Sequence, residues 1–299
     1  GMMGLSFLAA AEKAEVTVAA YYFPSYHPNA VYSRQYGEGW TEWDLMKKAT
    51  PRFPGHDQPK TPAWGYEDES DPKVMAKKID AAADNGVDAF IFDWYWHNTG
   101  PFIEGGLEKG FLKAPNRERL KFALMWANHD WIDIFPASLG KKPELLHPGA
   151  VTRETFDAAT DHIIKTYFTQ PNYWRIDGKA YFSVYELMTL VQGLGGVEAT
   201  RAALDDFRRR AAAAGVGPIH LNAVVWGIQV LPTEKTIKNP EEMLAALGFD
   251  SVTSYCWIHH VLPEGFPTVD YNTWKELSVA KWPEFVKRWA VPYYPNVSM

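Results

Sequence analysis

Polar or ionisable groups stand beside aromatic rings at six of the seven places where the apolar runs of this sequence end, the exception being Trp226, which runs on into Gly227. FIFDWYWHN, residues 90–98, passes from apolar residues to Asp93 and at once to Trp94, Tyr95, Trp96 and His97. FALMWANHD, residues 122–130, ends in Trp126, Asn128, His129 and Asp130, and YFSVYE, residues 181–186, ends in Tyr185 and Glu186. Tyr26-His27, Trp226, Tyr255-Cys256-Trp257 and Tyr293-Tyr294 complete the series. Rings interleaved with carboxylates and amides suit carbohydrate: pyranose C–H faces stack on Trp and Tyr, while Asp, Glu, Asn and His exchange hydrogen bonds with hydroxyls. A phosphate site would call for Arg, Lys and glycine-rich amide nests instead.

Cleaving a glycosidic bond needs two carboxyl groups flanking it. Glu186, directly after its apolar run, is the best-placed glutamate for acid or base work, and Asp93 could pair with it. Each has a plainer reading. The rings could be a large aromatic core, Asp93 and Asp130 could be turn or helix-capping residues, and Glu186 could be a solvated loop residue. Metal chemistry has little support, since the adjacent His259-His260 would point apart in an extended segment and no zinc spacing is present. No nucleophile elbow appears. The single cysteine, Cys256, excludes an internal disulfide and reads as a small buried hydrophobe. No cofactor is called for.

The elements that must position these groups alternate between strand and helix. Strands are expected at Val16–Phe23, Val87–Trp94, Lys121–Ala127, Ala180–Tyr185, His220–Trp226, Phe249–Tyr255 and Val291–Tyr294. Asp71-Pro72 caps a helix that closes at Gly86, Thr152 opens a second, Val197–Ala214 forms a third, and Asn239-Pro240 starts a fourth that ends at Gly248. Such alternation predicts a parallel sheet. Without a glycine-rich dinucleotide fingerprint, the α/β class points to a TIM-type (β/α)8 barrel with its functional groups at the C-terminal strand ends. Residues 16–299 read as one domain, with a long insertion over residues 24–70. The seventh strand falls at the end of the chain, so an eight-stranded barrel does not close within it. Either the strand count is off by one or the natural protein continues past Met299.

Composition limits the partners. A net charge of −6 argues against nucleic acid or an anionic membrane surface. No apolar run is long enough to span a membrane. Residues 1–15 carry an apolar run ending in Ala9-Ala10-Ala11, which reads either as the remnant of a secretory signal, and so export, or as an ordinary terminus.

AAYYFPSYHPN, YGEGWTEWDLMKKATPRFPGHDQPKTP, GVDAFIFDWYWHNTG and FALMWANHDW together resemble the WbsX-like family, which is related to glycoside hydrolase families 71 and 99. The resemblance spans most of residues 17–131, and VPYYPNVSM again looks like that family's seventh strand. It implies a (β/α)8 barrel acting on glycans. By matching motif it also implies that His27, Glu42, Trp43, His56, Gln58, Asp93, Trp94, Trp96, Trp126, Asn128 and Asp130 line the cleft. Tyr185, Trp226, Tyr255 and Trp257 join them from the strand-end reading. Glu42 has a plainer alternative as a loop salt-bridge partner. The family's catalytic glutamates are expected on the strand after VPYYPNVSM.

Three functions compete. A glycoside hydrolase acting on an α-mannoside-like glycan leads. A glycosyltransferase would need a nucleotide-diphosphate site, and Asp68-Glu69-Ser70-Asp71 reads as a helix cap rather than a metal-binding acidic motif. The third is a non-catalytic glycan-binding barrel.

Overall fold

The computed structural model describes residues 16–136, 140, 142–229, 235, 237–262, 264–265 and 269–298. All the expected strands form, several of them shorter than their apolar runs: β1 (Ala19–Tyr22), β2 (Ala89–His97), β3 (Lys121–Trp126), β4 (Lys179–Val184), β5 (Ile219–Val224), β6 (Ser251–Thr253) and β7 (Tyr293–Tyr294). They lie side by side in sequence order, every neighbouring pair parallel. Among the described residues, β1 and β7 are the two edges of this path. The sheet curls. Tyr255, just past β6, reaches Asp93 on β2 and also packs on Tyr21 of β1, contacts that skip β3, β4 and β5. A flat sheet would hold these strands far apart, because neighbouring strands are spaced by ~5 Å. Among the described residues, the architecture is the expected α/β one of TIM type, a curled parallel sheet of seven strands with helices on its outer face.

Register sets the two faces. Met125, Ser183, Asn222 and Ser251 lie in one lateral row, with Asp93 beside Met125. Ser183, Asn222 and Ser251 are linked by hydrogen bonds on the inner face, where His220 also meets Ser251. The alternate positions face the helices: Phe92 meets Phe111, Trp126 meets Phe156, and Phe182 meets Phe207. Burying both faces leaves the strands almost uniformly apolar, as parallel sheets require.

The outer helices begin and end where the sequence places them. Asp71 accepts from the Lys73 amide at the start of α3 (Pro72–Asp84), and Thr152 accepts from Thr155 at the start of α4 (Arg153–His162). The other two expected helices are α6 (Val197–Ala213) and α7 (Pro240–Leu247), and α5 (Leu187–Leu194), directly after Glu186, was not expected from the sequence. Gly248 closes α7 at φ +71, and a Cβ there would lie 2.5 Å from the Arg201 guanidinium. A last helix, α8 (Tyr271–Arg288), carries Pro283 in its interior, which hid it from the sequence reading.

The 24–70 insertion holds two short helices, α1 (Ala30–Tyr36) and α2 (Trp43–Lys47). Its far end is anchored by Glu69, 2% exposed, whose carboxylate accepts from the Tyr22 hydroxyl and the Tyr26 amide and pairs with Lys78.

Candidate active site

Asp93 is the focus. It sits at the middle of β2 on the inner face, 4% exposed, with Oδ2 accepting from the Tyr255 hydroxyl at 3.0 Å. Oδ1 has no hydrogen-bond partner. Burial raises its pKa to about 7, and the Tyr255 hydrogen bond opposes that rise. A carboxyl held near neutrality with one free oxygen can donate or accept a proton at physiological pH. Tyrosines surround it. Tyr255 packs on Tyr21 at 4.9 Å and on Tyr185 at 5.3 Å between ring centres. Tyr21 and Tyr95 are held well above the usual phenol range, first by burial and partly by the nearby Asp93 charge, so both stay protonated. Neither was singled out as a site residue from the sequence. The signal was there: Tyr95 is two positions from Asp93 on the same strand and so shares its face.

Glu186 is organised differently. It lies just past β4 at the N-cap of α5, and it is 1% exposed, so the solvated-loop reading fails. Asn128 clamps its backbone, donating to the Glu186 carbonyl and accepting from the Glu186 amide, both at 2.8 Å. The carboxylate accepts from the Thr189 hydroxyl and from the Lys235 amide. Burial raises its pKa to about 7; Thr189 and Lys235 pull it down, and the Asp130 charge adds a smaller upward push. Asp130 accepts from the Gly149 amide at 2.8 Å, a loop-fixing contact.

The insertion residues form separate groups. Glu42 takes hydrogen bonds from Ser25 and Tyr32 on one oxygen, and burial raises its pKa; it is a loop anchor with no basic partner among the described residues. His27 is 2% exposed with Nδ1 unpartnered, and burial lowers its pKa. Trp43 lies 4.0 Å from the Tyr26 ring and donates to the Glu67 carbonyl. His56 stacks on the exposed Phe53 and accepts from the Arg52 amide, while Gln58 bonds the nearby Lys60 amide. Among the described residues, no hydrogen bond or ring contact joins His56 or Gln58 to the Asp93 group.

Three tryptophans expected in the cleft are elsewhere. Trp94 donates to the Tyr167 hydroxyl, Trp126 stacks on Phe156 of α4, and Trp96 lies beside His162. They alternate with Asp93 and Tyr95 along β2, or sit level with Trp94 on β3, and therefore face the helices. Trp257 is likewise structural, 1% exposed, packed on Phe285 of α8 and donating to the Asn296 carbonyl. Trp226 does join the group: half-buried, it packs on Tyr185 at 4.8 Å, and its Nε1 has no partner. His259 and His260 lie on and just after a tight helical turn rather than in an extended segment. Cys256 is half-buried beyond β6, with its sulfur 3.6 Å from His259 Nδ1. Among the described residues, no group of His, Cys, Asp and Glu could hold a metal ion, and no helix is long and apolar enough to cross a membrane.

The sequence profile of the family described as Glycosyltransferase WbsX matches residues 18–277. The uncharacterized protein WxcX of Xanthomonas campestris pv. campestris (strain ATCC 33913) is 28% identical over 230 residues, covering 77% of this chain and 31% of WxcX. Its counterpart in strain B100 is 29% identical over 219 residues, 73% of this chain and 30% of the relative. The chain therefore spans less than a third of the length of these relatives. In structure it is similar to the GH99 endo-alpha-mannosidase from Bacteroides thetaiotaomicron, with a TM-score of 0.52 and 14% identity over 94% of this chain and 70% of the enzyme. It is also similar to a glycoside hydrolase-like protein, with a TM-score of 0.58 and 15% identity over 99% of this chain and 74% of the other. At such identities the likeness is one of fold. The profile match, running from before β1 to within α8, makes this chain a member of the Glycosyltransferase WbsX family.

Proposed function

We propose that the chain is the glycan-binding barrel of a glycoside hydrolase that cleaves an α-mannoside-like bond in a polysaccharide. The observation that carries this reading is Asp93. It is a carboxyl held near neutrality with one oxygen free, bonded by Tyr255 and close to Tyr21, with Tyr185 packed on the far side of Tyr255. In hydrolysis the glycosidic C–O bond breaks, the leaving oxygen takes a proton and water supplies the new hydroxyl. Asp93 moves a proton or orients the sugar through its free Oδ1. Glu186, fixed by Asn128 and Thr189, does the same from the end of β4. Tyr185 and Trp226 offer ring faces to the pyranose. The glycan is the proposed partner, and the apolar stretch before Ala9-Ala10-Ala11, which lies outside the described residues, supports export.

The test is release of reducing ends from α-mannan by the wild-type protein, Asp93→Asn and Glu186→Gln. Each substitution should lower turnover by ~10²-fold or more if the carboxyl does acid–base work. Unchanged turnover in both variants would remove these assignments. The family description favours one other reading, a glycosyltransferase. Sugar transfer from a nucleotide-sugar donor to an acceptor, with no release of reducing ends, would select it. Binding of α-mannan without either reaction would leave a glycan-binding barrel.

A further inference from the structure

Trp96 leads to a second place on the molecule, on the outer flank of β2. Two wide helical turns of π type meet there, Gly106–Gly110 carrying Glu108 and Ile163–Tyr167 following directly on α4. Such turns are uncommon and cluster at functional sites. Glu108 Oε1 accepts from the Tyr167 hydroxyl at 2.6 Å and lies 2.9 Å from His162 Nε2. Because an ionised carboxylate only accepts, Nε2 carries the hydrogen and Nδ1 faces the Thr166 hydroxyl at 3.4 Å. Burial would raise the Glu108 pKa, but the bonds from His162 and Tyr167 outweigh it and hold the carboxyl below its usual range, so it stays an acceptor. Both bonds fall on Oε1, which leaves Oε2 for another donor. The Glu108 and His162 side chains are 31% and 30% exposed. The half-buried Trp96 ring lies 5.2 Å from His162.

We propose that Glu108, His162 and Trp96 form a secondary saccharide-binding site, distinct from the Asp93 group. It would take a neutral pyranose unit of the same polysaccharide, with ring hydroxyls donating to Glu108 and C–H groups packed on the exposed part of Trp96. The choice of α-mannan as ligand rests on the proposed function; the site itself rests on this geometry. Its role is to anchor a long chain while another segment occupies the barrel.

Affinity electrophoresis through gels containing α-mannan tests it with the protein, Glu108→Gln and Thr166→Lys. The second variant keeps the carboxylate–imidazole pair and fills the space beside it, and circular dichroism melts establish that both variants fold. Wild type should be retarded, and each variant should bind about tenfold or more weakly, the cost of one charge-assisted hydrogen bond. Turnover of a short α-mannoside, too small to bridge both places, should be unchanged in Glu108→Gln. An unretarded wild type, or wild-type retardation in either variant, overturns the proposal. Loss of retardation in the variants together with no hydrolysis by any form upholds this site and defeats the hydrolase reading instead.

Discussion

The Tyr255 hydroxyl donates to Asp93 Oδ2 at 3.0 Å across 162 positions of sequence, joining the loop after β6 to β2 through the inside of the barrel. Burial raises the Asp93 pKa, and that bond acts against the rise. Tyr255→Phe removes the donor and keeps the ring. The Asp93 pKa should then rise further above 7, by on the order of one unit, the size of a typical hydrogen-bond contribution. A pH–rate profile should show the limb assigned to Asp93 moving to higher pH. An unmoved limb would separate Asp93 from the proton being transferred.

Stability should carry the same signature. A folded pKa near 7 lies above the ~4 of an unfolded aspartate, so the folded state holds the proton more tightly. The associated stability is full below about pH 4 and is lost as pH rises through 7. Asp93→Asn removes this loss. The variant should match wild type near pH 4 and exceed it at pH 8 by roughly 2–4 kcal/mol, measured by urea unfolding at both pH values. Glu186, also raised to about 7, is present in both proteins and cancels in the comparison.

Asn128 makes two hydrogen bonds to the backbone of residue 186, both buried. Asn128→Ala leaves that amide unpartnered, while the carbonyl keeps the Leu190 amide, and should cost roughly 1–3 kcal/mol. It should also lower turnover, because the start of α5 and the Glu186 carboxyl lose their fixed position. Chemical denaturation and the α-mannan assay check the two effects together. A stable variant would mean that water replaces the carboxamide without loss.

Two tryptophans should behave in opposite ways. Trp126 is fully buried between β3 and α4, so Trp126→Ala should destabilise the fold by about 3–5 kcal/mol. Trp226 is half-buried against Tyr185, so Trp226→Ala should leave stability within about 1–2 kcal/mol and weaken glycan binding instead. Thermal melts and calorimetric titration with α-mannan distinguish the cases. The reverse pattern would place the cleft on the other side of the sheet.

The local features were determined by the sequence alone. Apolar runs ending in turn residues marked all seven parallel strands, and Asp71, Thr152 and Gly248 marked helix ends, because capping and left-handed turns depend on a few neighbouring residues. Their alternation set the α/β barrel class. The choice of Asp93 and Glu186 as the carboxyls to watch also came from local position, each being the acid at or just past a strand end. Which side of the sheet each ring occupies was decided only in three dimensions. A parallel sheet buried on both faces shows no polar-to-apolar contrast along its strands, so the period of two separates neighbours without saying which one faces inward. Trp94 and Asp93 differ by one position and lie on opposite faces for that reason. Tyr255 could be paired with Asp93 only by the curl of the whole sheet, and that curl is the sum of twists between every neighbouring strand rather than a property of any one segment.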